Sequence, residues 1–361
     1  MIRLLTLALV AAMTGSVSAQ KQQTLHSGYP IDPVPFTSVK VTDSFWGQRL
    51  KASREVTIPL AFSKCEETGR YENFVKATHP SDEYKVGGFS FDDTDVYKTI
   101  EGASYSLQTY PDKKLEEYID SVLVIVAAAQ EPDGYLYTAR TMNPKHPHDW
   151  SGPERWSEVE NLSHEFYNLG HMVEGAVAYY QATGKRNFLD IAIRYADCVC
   201  KNIGEGPGQK RVIPGHQIAE MALVRLYTVT GDKKYLDQAQ KVYNFIFNNK
   251  NLPEDLVPYW DYDAPNIPNE PRDASAAACT ASALYELDGY LPGNHYKETA
   301  DKIMESLGSP AYRAEVGTNG NFILMHSVGS IPHGQEIDVP LNYADYYFLE
   351  GLMRKRDLEK K

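Results

Sequence analysis

The hydrophobic positions of this chain recur in pairs of amphipathic helices joined by short turns. Around Gly231, apolar residues stand at helical spacing on both sides: Met221, Leu223, Leu226 and Tyr227 before it, and Leu236, Ala239, Tyr243, Ile246 and Phe247 after it. A similar pair turns at Gly184, 47 residues earlier, and weaker copies stand at residues 110–115 and 291–294. Several helical hairpins in one chain predict an all-α fold, either a solenoid or a closed α/α toroid.

Long connections between the hairpins alternate with the short turns inside them. Segments without helical patterning cover residues 131–162, 204–215, 252–273 and 309–341, whereas most loops have about 4–6 residues. Loops of this length are usually functional. If the hairpins pack side by side, these loops and the starts of the helices that follow them lie at one end. We expect the functional site there.

The helix starts at this end are polar and acidic. N-capping accounts for Asp273 and Asp92, because a carboxylate accepts hydrogen bonds from free backbone N–H groups. It does not account for His164 and His216, because neutral histidine is a poor cap and both residues begin helices at equivalent positions. We therefore predict that these two histidines line one pocket and bind substrate.

Two of the long loops combine aromatic rings with polar groups. The rings are Tyr135, Tyr137, Trp150 and Trp156 in one loop, and Tyr259, Trp260 and Tyr262 in the other. Flat rings beside carboxylates and amides suit sugars, whose C–H faces pack on rings while their hydroxyls need polar partners. The alternative, that the rings pack the loops onto the helices, fits the pattern equally well.

The N-terminus has the pattern of a secretory signal peptide, with Arg3, an apolar run over residues 4–13 and small residues before Gln20. The predicted organisation is a signal peptide over residues 1–19, an extended segment over 20–45 and a helical domain over 46–361. We predict export to the periplasm or the extracellular space. No later stretch is apolar over the ~18 residues that a membrane span needs.

Charge and cysteine content narrow the chemistry. The net charge of −12 argues against a nucleic-acid partner, and an anionic substrate would need cations such as Arg155, Arg211 or Arg272 in the loops. The cysteines are Cys65, Cys198, Cys200 and Cys279, without CxxC or HExxH spacing. We predict no metal site and no cofactor. The cysteines are interpreted as buried small residues, with one disulfide as the alternative.

Four motifs characterise the first half: FDDTDVYK at residues 91–98, QEPDGYL at 130–136, HEFYNLGH at 164–171 and PGHQ at 214–217. Over residues 46–239 the chain therefore resembles the β-L-arabinofuranosidase family of glycoside hydrolases. The resemblance implies a six-hairpin α/α toroid with His164 and His216 in a sugar pocket. It also implies a catalytic cysteine in a zinc-bound Cys/Glu cluster, which the family carries in a half that is absent here.

Other motifs follow in the second half: PYWDYDAPN at residues 258–266, RDASAAA at 272–278, HSVG at 326–329 and DVPLNYADYY at 338–347. Over residues 232–361 the chain is similar to the unsaturated glucuronyl hydrolase family. This resemblance implies the same toroid and places His326 and Tyr343 at the border of a pocket, while the family's acid/base aspartate belongs to its missing first half. The two resemblances change over within residues 230–239, which predicts a fusion of two half-toroids. We count roughly ten long helices, where a closed toroid of six hairpins has twelve.

These patterns together predict a glycoside hydrolase that acts outside the cytoplasm on plant or host glycans, of the arabinofuranoside or unsaturated-uronate type, with weak or absent turnover. Glycoside hydrolysis generally needs two carboxyl groups about 5–10 Å apart, and Asp93 and Glu165 are the predicted catalytic pair. The predicted substrate-binding residues are His164, His216, Trp260, His326 and Tyr343. Two alternatives stay open, a non-catalytic glycan-binding protein and a helical scaffold without a ligand.

Overall fold

The structure, a computed structural model, describes residues 34–247, 249–290, 293–331 and 333–360. The predicted signal peptide over residues 1–19 lies outside the described residues, as does the larger part of the predicted extended segment. The described part of that segment contains one turn of 3₁₀ helix at Phe36–Ser38 and leads into the first α-helix at Ser44. Within the described ranges, no helix is long and apolar enough to cross a membrane.

The described chain is mostly helical, as the sequence predicts. Its α-helices are α1 Ser44–Ala52, α2 Ile58–Glu67, α3 Arg70–Thr78, α4 Asp93–Thr109, α5 Lys113–Ala129, α6 Thr138–Thr141, α7 Glu165–Thr183, α8 Asn187–Asn202, α9 Ala219–Thr230, α10 Lys233–Phe247, α11 Ala274–Tyr290, α12 Tyr296–Gly308 and α13 Asn342–Glu359. A π-helical turn, Ser53–Thr57, joins α1 to α2. Strands β1 Ser327–Ser330 and β2 Gln335–Val339 form one antiparallel pair inside the last long loop.

Two glycines create the sharp turns inside the hairpins. Gly184 follows α7 with φ +74° and Gly231 follows α9 with φ +71°, and the N–H of each donates to a carbonyl of the last helical turn. Glycine adopts this left-handed conformation without the steric cost that a Cβ imposes. The two turns are therefore equivalent structures, which confirms the hairpin repeat.

The hairpins pack in two layers. Helices α2, α4, α7 and α9 lie side by side in the inner layer, and α3, α5, α8 and α10 pair with them in the outer layer. Close approach within the inner layer depends on two glycines of α7. A Cβ on Gly175 would lie 2.8 Å from the carbonyl oxygen of Tyr97, and one on Gly170 would lie 2.6 Å from the Ile218 side chain. This layering is the α/α toroid architecture that the sequence predicts.

The hydrophobic core is divided into two clusters. The first extends from Ile58 to Val242 and the second from Val257 to Phe348, where α11 packs against α12 and α13. The division falls between α10 and α11, just after the segment in which the two sequence resemblances change over. At this division, Gln240 Nε2 donates a hydrogen bond of 3.4 Å to Asn294 Oδ1.

All four cysteines are free. Cys65 and Cys198 are buried, as predicted, and Cys200 is half-buried, but Cys279 is exposed on α11. The interpretation of the cysteines as buried small residues is therefore right for the first two and wrong for Cys279.

Candidate active site

A small cavity lies where the loop ends of α7 and α9 meet. Its volume is about 80 Å³, and its lining includes Ser163, His164, Phe166, Tyr167, Gly215 and His216. The ring centroids of His164 and His216 are 5.6 Å apart, which confirms that these two histidines line one pocket. Pockets for drug-sized ligands usually measure roughly 300–1,000 Å³. This cavity therefore holds only part of a sugar, and the rest of a glycan would lie outside it.

The His164 ring is oriented by its own loop. The carbonyl oxygen of Leu162 lies 2.6 Å from Nδ1, and the Ser90 hydroxyl lies 2.9 Å from the same nitrogen. Because a carbonyl oxygen only accepts, Nδ1 carries the proton and Nε2 is left as an acceptor. Burial lowers the pKa of His164, and the nearby His216 lowers it further. At neutral pH the ring is therefore uncharged.

One face of α7 continues the site. Tyr167 and His171 follow His164 at helical spacing, and the Tyr167 ring centroid lies 5.0 Å from that of His216 and 4.4 Å from that of His171. Lys98 on α4 donates a hydrogen bond of 2.6 Å to the Tyr167 hydroxyl. Burial, with added effects of Lys98 and His216, lowers the pKa of His171 to about 4.

Lys98, Tyr167 and His171 were not predicted as site residues, although all three lie in the motifs at residues 91–98 and 164–171. The signal that was available is the spacing of positions 164, 167 and 171, which places them on one helical face.

Aromatic rings border the histidines on the other side. Phe89 and Phe91 stack with centroids 5.0 Å apart, and Phe91 and Trp150 lie 4.8 Å and 6.3 Å from the His164 ring. Phe89 is 51% exposed, which leaves a flat apolar face in contact with solvent. Trp150 belongs to the long loop at residues 131–162. The other rings of that loop are buried and pack it onto the helices: Tyr135, Tyr137 and Trp156. Of the two interpretations of the loop aromatics, packing holds for these three rings, whereas Trp150 lies beside the pocket.

The predicted catalytic residue Asp93 is buried at the start of α4, with 2% of its surface exposed. Its two carboxylate oxygens accept hydrogen bonds from the backbone N–H of Thr138 at 2.9 Å and from the Thr138 hydroxyl at 2.5 Å. Burial raises the pKa of Asp93 to about 7. The carboxyl group thus fastens the long loop after α5 to the inner layer.

Glu165, the other predicted catalytic residue, is fully buried at the start of α7. It accepts hydrogen bonds from the Tyr135 and Ser163 hydroxyls, each at 2.6 Å, and from the backbone N–H of Trp156 at 3.1 Å. Burial raises the pKa of Glu165. The residues lining the described cavity include neither Asp93 nor Glu165. Catalysis by this pair would require these bonds to open, and the assignment stays a prediction.

Helices α11 and α13 show the same arrangement. Asp273 caps α11 by accepting from the backbone N–H of Ser275 at 3.0 Å, as predicted, and also accepts from the N–H of Val328 at 3.3 Å. Asp345 on α13 accepts from the N–H groups of Ile323 and Leu324 at 2.8 and 2.9 Å. Carboxylates at the starts of α4, α7, α11 and α13 therefore all bind loop backbone.

Asp92 differs from the prediction, since its side chain makes no capping bond to α4. It forms an ion pair of 3.0 Å with Arg70, which also binds Asp95 at 3.1 Å. A guanidinium within reach competes successfully with the helix N–H groups because a charged pair is the stronger interaction.

The predicted binding residues of the second half have their own partners. Trp260 Nε1 donates to Glu270 at 2.9 Å, and His326 Nδ1 lies 2.6 Å from an oxygen of Asp338. Tyr343, in the first turn of α13, is 42% exposed. None of these three predicted residues lines the described cavity at His164, and their binding role stays a prediction.

Of the three candidate loop arginines, Arg155 and Arg272 form structural contacts, and Arg211 is exposed. Arg155 binds Asp133 at 2.6 Å, and Arg272 forms an ion pair with Asp255 and donates to a backbone carbonyl. The cation beside the cavity is instead Lys98.

The described residues can be compared with the zinc-bound cluster that the family resemblance implies. Within those ranges, no three His, Cys, Asp or Glu side chains are grouped to hold a metal ion. The cysteines are spread over α2, α8 and α11. The residues therefore do not fit a zinc-bound Cys/Glu cluster, and no step of a reaction is assigned to one.

Comparison with known proteins relates this geometry to a family. Residues 38–282 match the family model described as the β-L-arabinofuranosidase, GH127 catalytic domain. The non-reducing end β-L-arabinofuranosidase of Bifidobacterium longum subsp. longum is 34% identical over 225 residues, which cover 56% of this chain and 33% of that protein. The unsaturated glucuronyl hydrolase of Formosa agariphila is 48% identical over 132 residues, which cover 37% of this chain and 33% of that protein. The chain thus spans about a third of the length of these curated relatives.

Solved structures agree with the family match. One GH127 β-arabinofuranosidase is 68% identical, with a TM-score of 0.67, and the alignment covers 80% of this chain and 45% of that one. A GH127 β-L-arabinofuranosidase from Geobacillus stearothermophilus T6 is 26% identical, with a TM-score of 0.63 and coverage of 89% of this chain and 53% of that one. The resemblances found in the sequence, to arabinofuranosidases and to unsaturated glucuronyl hydrolases, are both confirmed.

Proposed function

We propose that this chain, which belongs to the family of β-L-arabinofuranosidase GH127 catalytic domains, binds the β-L-arabinofuranosyl end of a glycan between α7 and α9 and hydrolyses it slowly. The observation that carries the proposal is the arrangement of His164, His216 and Tyr167 around one cavity. A sugar presents hydroxyl groups, which exchange hydrogen bonds with imidazoles, and apolar C–H faces, which pack on rings.

The ionisation of the site suits a neutral sugar ring. Burial keeps His164 uncharged by lowering its pKa, so its Nε2 accepts from a hydroxyl group without a charged counterpart. The exposed face of Phe89 and the nearby Trp150 extend the site beyond the cavity, where the remainder of a glycan would lie. The N-terminal sequence pattern supports a location outside the cytoplasm.

Slow turnover is proposed because of the state of the carboxyl groups. Asp93 and Glu165 are held by the long loop, and the Cys/Glu cluster implied by the family resemblance has no counterpart among the described residues. Losing a nucleophile or a general acid typically costs several orders of magnitude in rate, whereas binding survives.

The test is calorimetric titration of the full chain with methyl β-L-arabinofuranoside, beside an assay of arabinose release. Replacement of His216 by alanine should weaken binding about tenfold, the equivalent of one good hydrogen bond. His295→Ala is the matched control, because the His295 side chain is 83% exposed on the far side of the chain division and should leave binding unchanged.

Absence of binding by the unaltered protein, or equal binding by His216→Ala, would overturn the proposal. Fast release of arabinose that survives both Asp93→Asn and Glu165→Gln would show that other groups carry out the chemistry.

A further inference from the structure

A cation without an acidic partner among the described residues lies beside the cavity. Lys98 is half-buried on α4 and, among the described residues, forms no ion pair with a carboxylate, although acidic residues surround it in sequence. Asp92 and Asp95 pair with Arg70, and Asp93 binds the loop. Although the protein has a net charge of −12, these three carboxylates all bind partners other than Lys98.

The hydrogen bond between Lys98 and Tyr167 leaves donors unused. An ammonium group only donates, so the Tyr167 oxygen accepts this bond and its own O–H proton must go elsewhere. In the described part of the chain, no protein group accepts that proton. The remaining N–H groups of the Lys98 ammonium likewise have no protein acceptor among the described residues. Tyr167 lines the cavity, so a ligand bound there can supply the acceptor that these donors do not find within the described protein.

The neighbouring imidazoles do not neutralise the cation. The groups that shift His171 are its own burial, Lys98 and His216, and those that shift His164 are its burial, the Leu162 carbonyl, His216, His148 and Lys98. No carboxylate is among them. The cluster thus carries the positive charge of Lys98, and removing this charge from water costs free energy that a bound anion would offset.

We infer that Lys98 and Tyr167 form a subsite for an anionic oxygen group on the glycan, either the carboxylate of a uronic acid or a sulfate ester. The inference rests on the proposed function, because it extends the same cavity. It narrows the ligand to acidic glycans in which the charged sugar adjoins the arabinofuranosyl end.

The experiment is calorimetric titration of the full chain with three probes that differ at one position: methyl β-D-glucoside, methyl β-D-glucuronide and methyl β-D-glucoside 6-sulfate. One or both anionic probes should bind about tenfold more tightly than the neutral one, since a charge-assisted hydrogen bond is roughly twice as strong as a neutral one. The anionic probe that binds more tightly than the neutral glucoside shows whether the subsite takes a carboxylate or a sulfate ester.

Three variants test the assignment to Lys98. Lys98→Gln should abolish the preference, and Lys98→Arg should retain it. Lys114→Gln makes the same change of net charge at an exposed position on α5 and should also retain it. If Lys98→Gln fails to fold by circular dichroism, Tyr167→Phe removes only the hydroxyl, and the preference must fall in that variant.

The two proposals fail in different ways. Equal binding of the three probes, or a preference that survives in both Lys98→Gln and Tyr167→Phe, overturns the anion subsite even if methyl β-L-arabinofuranoside binds. Binding of an anionic probe without binding of the arabinofuranoside upholds the subsite and overturns the proposed sugar.

Discussion

Replacement of Glu220 by glutamine should stabilise the protein, and by more at high pH than at low pH. Glu220 lies in the first turn of α9, and both carboxylate oxygens are buried without a hydrogen-bond partner among the described residues. Burial raises the pKa of Glu220 from its ordinary 4.5 to about 7. Folding therefore works against ionisation of this side chain.

The magnitude follows from the two pKa values. Below pH 4.5 the carboxyl group is protonated in both the folded and the unfolded protein, so its ionisation costs no stability. Between pH 4.5 and about 7 the unfolded state loses its proton first, and the free energy of unfolding falls. Above about pH 7 the loss levels off at roughly 3 kcal/mol. Glutamine has the same shape and does not ionise, so Glu220→Gln should be free of this loss.

Urea unfolding, followed by far-ultraviolet circular dichroism at pH 4.5, 5.5, 6.5 and 8, measures the difference between the two proteins. The gain should be near zero at the lowest pH and largest at the highest. Glu205→Gln, at an exposed position, makes the same change of charge and should show no such trend. A gain that does not vary with pH, or a less stable Glu220→Gln at pH 8, would refute the reasoning.

Three further substitutions test how the loops are held, and a fourth, Gly184→Ala, serves as the comparison for Gly134→Ala. Asp93→Asn can still accept from the Thr138 N–H through its amide oxygen and can donate to the Thr138 hydroxyl through its NH₂ group, and it removes a buried carboxyl group of pKa about 7. Its melting temperature at pH 8 should therefore equal or exceed that of the unaltered protein. Glu165→Ala leaves three buried donors unpaired and should lower the free energy of unfolding in urea by about 3–5 kcal/mol. Gly134→Ala puts a Cβ 2.2 Å from the Arg194 carbonyl oxygen, so it should lose at least ~2 kcal/mol in the same assay. Gly184→Ala, strained but in open space, should lose about 1 kcal/mol.

The fold is predictable from the sequence because its signals are local. Each hairpin turn depends on a glycine that adopts a left-handed conformation, and each helix on apolar spacing over a few turns. The length of the loops then identifies the end that carries the cavity. The division of the core into two clusters follows from long-range packing, and only the change of resemblance near residues 230–239 hinted at it.

The candidate site was only partly predictable. His164 and His216 were found because histidine is unusual at a predicted helix start, and the rings do lie 5.6 Å apart. The predicted equivalence is wrong, however, because His164 directly precedes α7 whereas His216 lies in the loop before α9, which begins at Ala219. The surroundings of Asp93 could not be read from sequence, because the donors that bind its oxygens belong to Thr138, 45 residues away. The pair of Lys98 and Tyr167 joins two helices in the same way. Sequence spacing identifies neighbours on one helix but not partners across two.

Glu220 and the division of the hydrophobic core both lie close to the segment at residues 230–239, where the two sequence resemblances change over. At the starts of α4, α7, α11 and α13 a carboxylate meets backbone donors of a long loop, whereas the carboxylate of α9, the last inner helix of the first cluster, meets none among the described residues. The loop that follows α10 makes its polar contacts with residues of the second half. Its Asp255 accepts a hydrogen bond of 2.8 Å from the Tyr312 hydroxyl and forms an ion pair with Arg272. We propose that the chain joins two half-toroids near residues 230–239. Each half binds its own loops, so a carboxylate that would need a loop donor from across the junction stays without one. On this proposal, the carboxylate of Glu220 meets no loop donor because the loop that would supply one belongs to the other half.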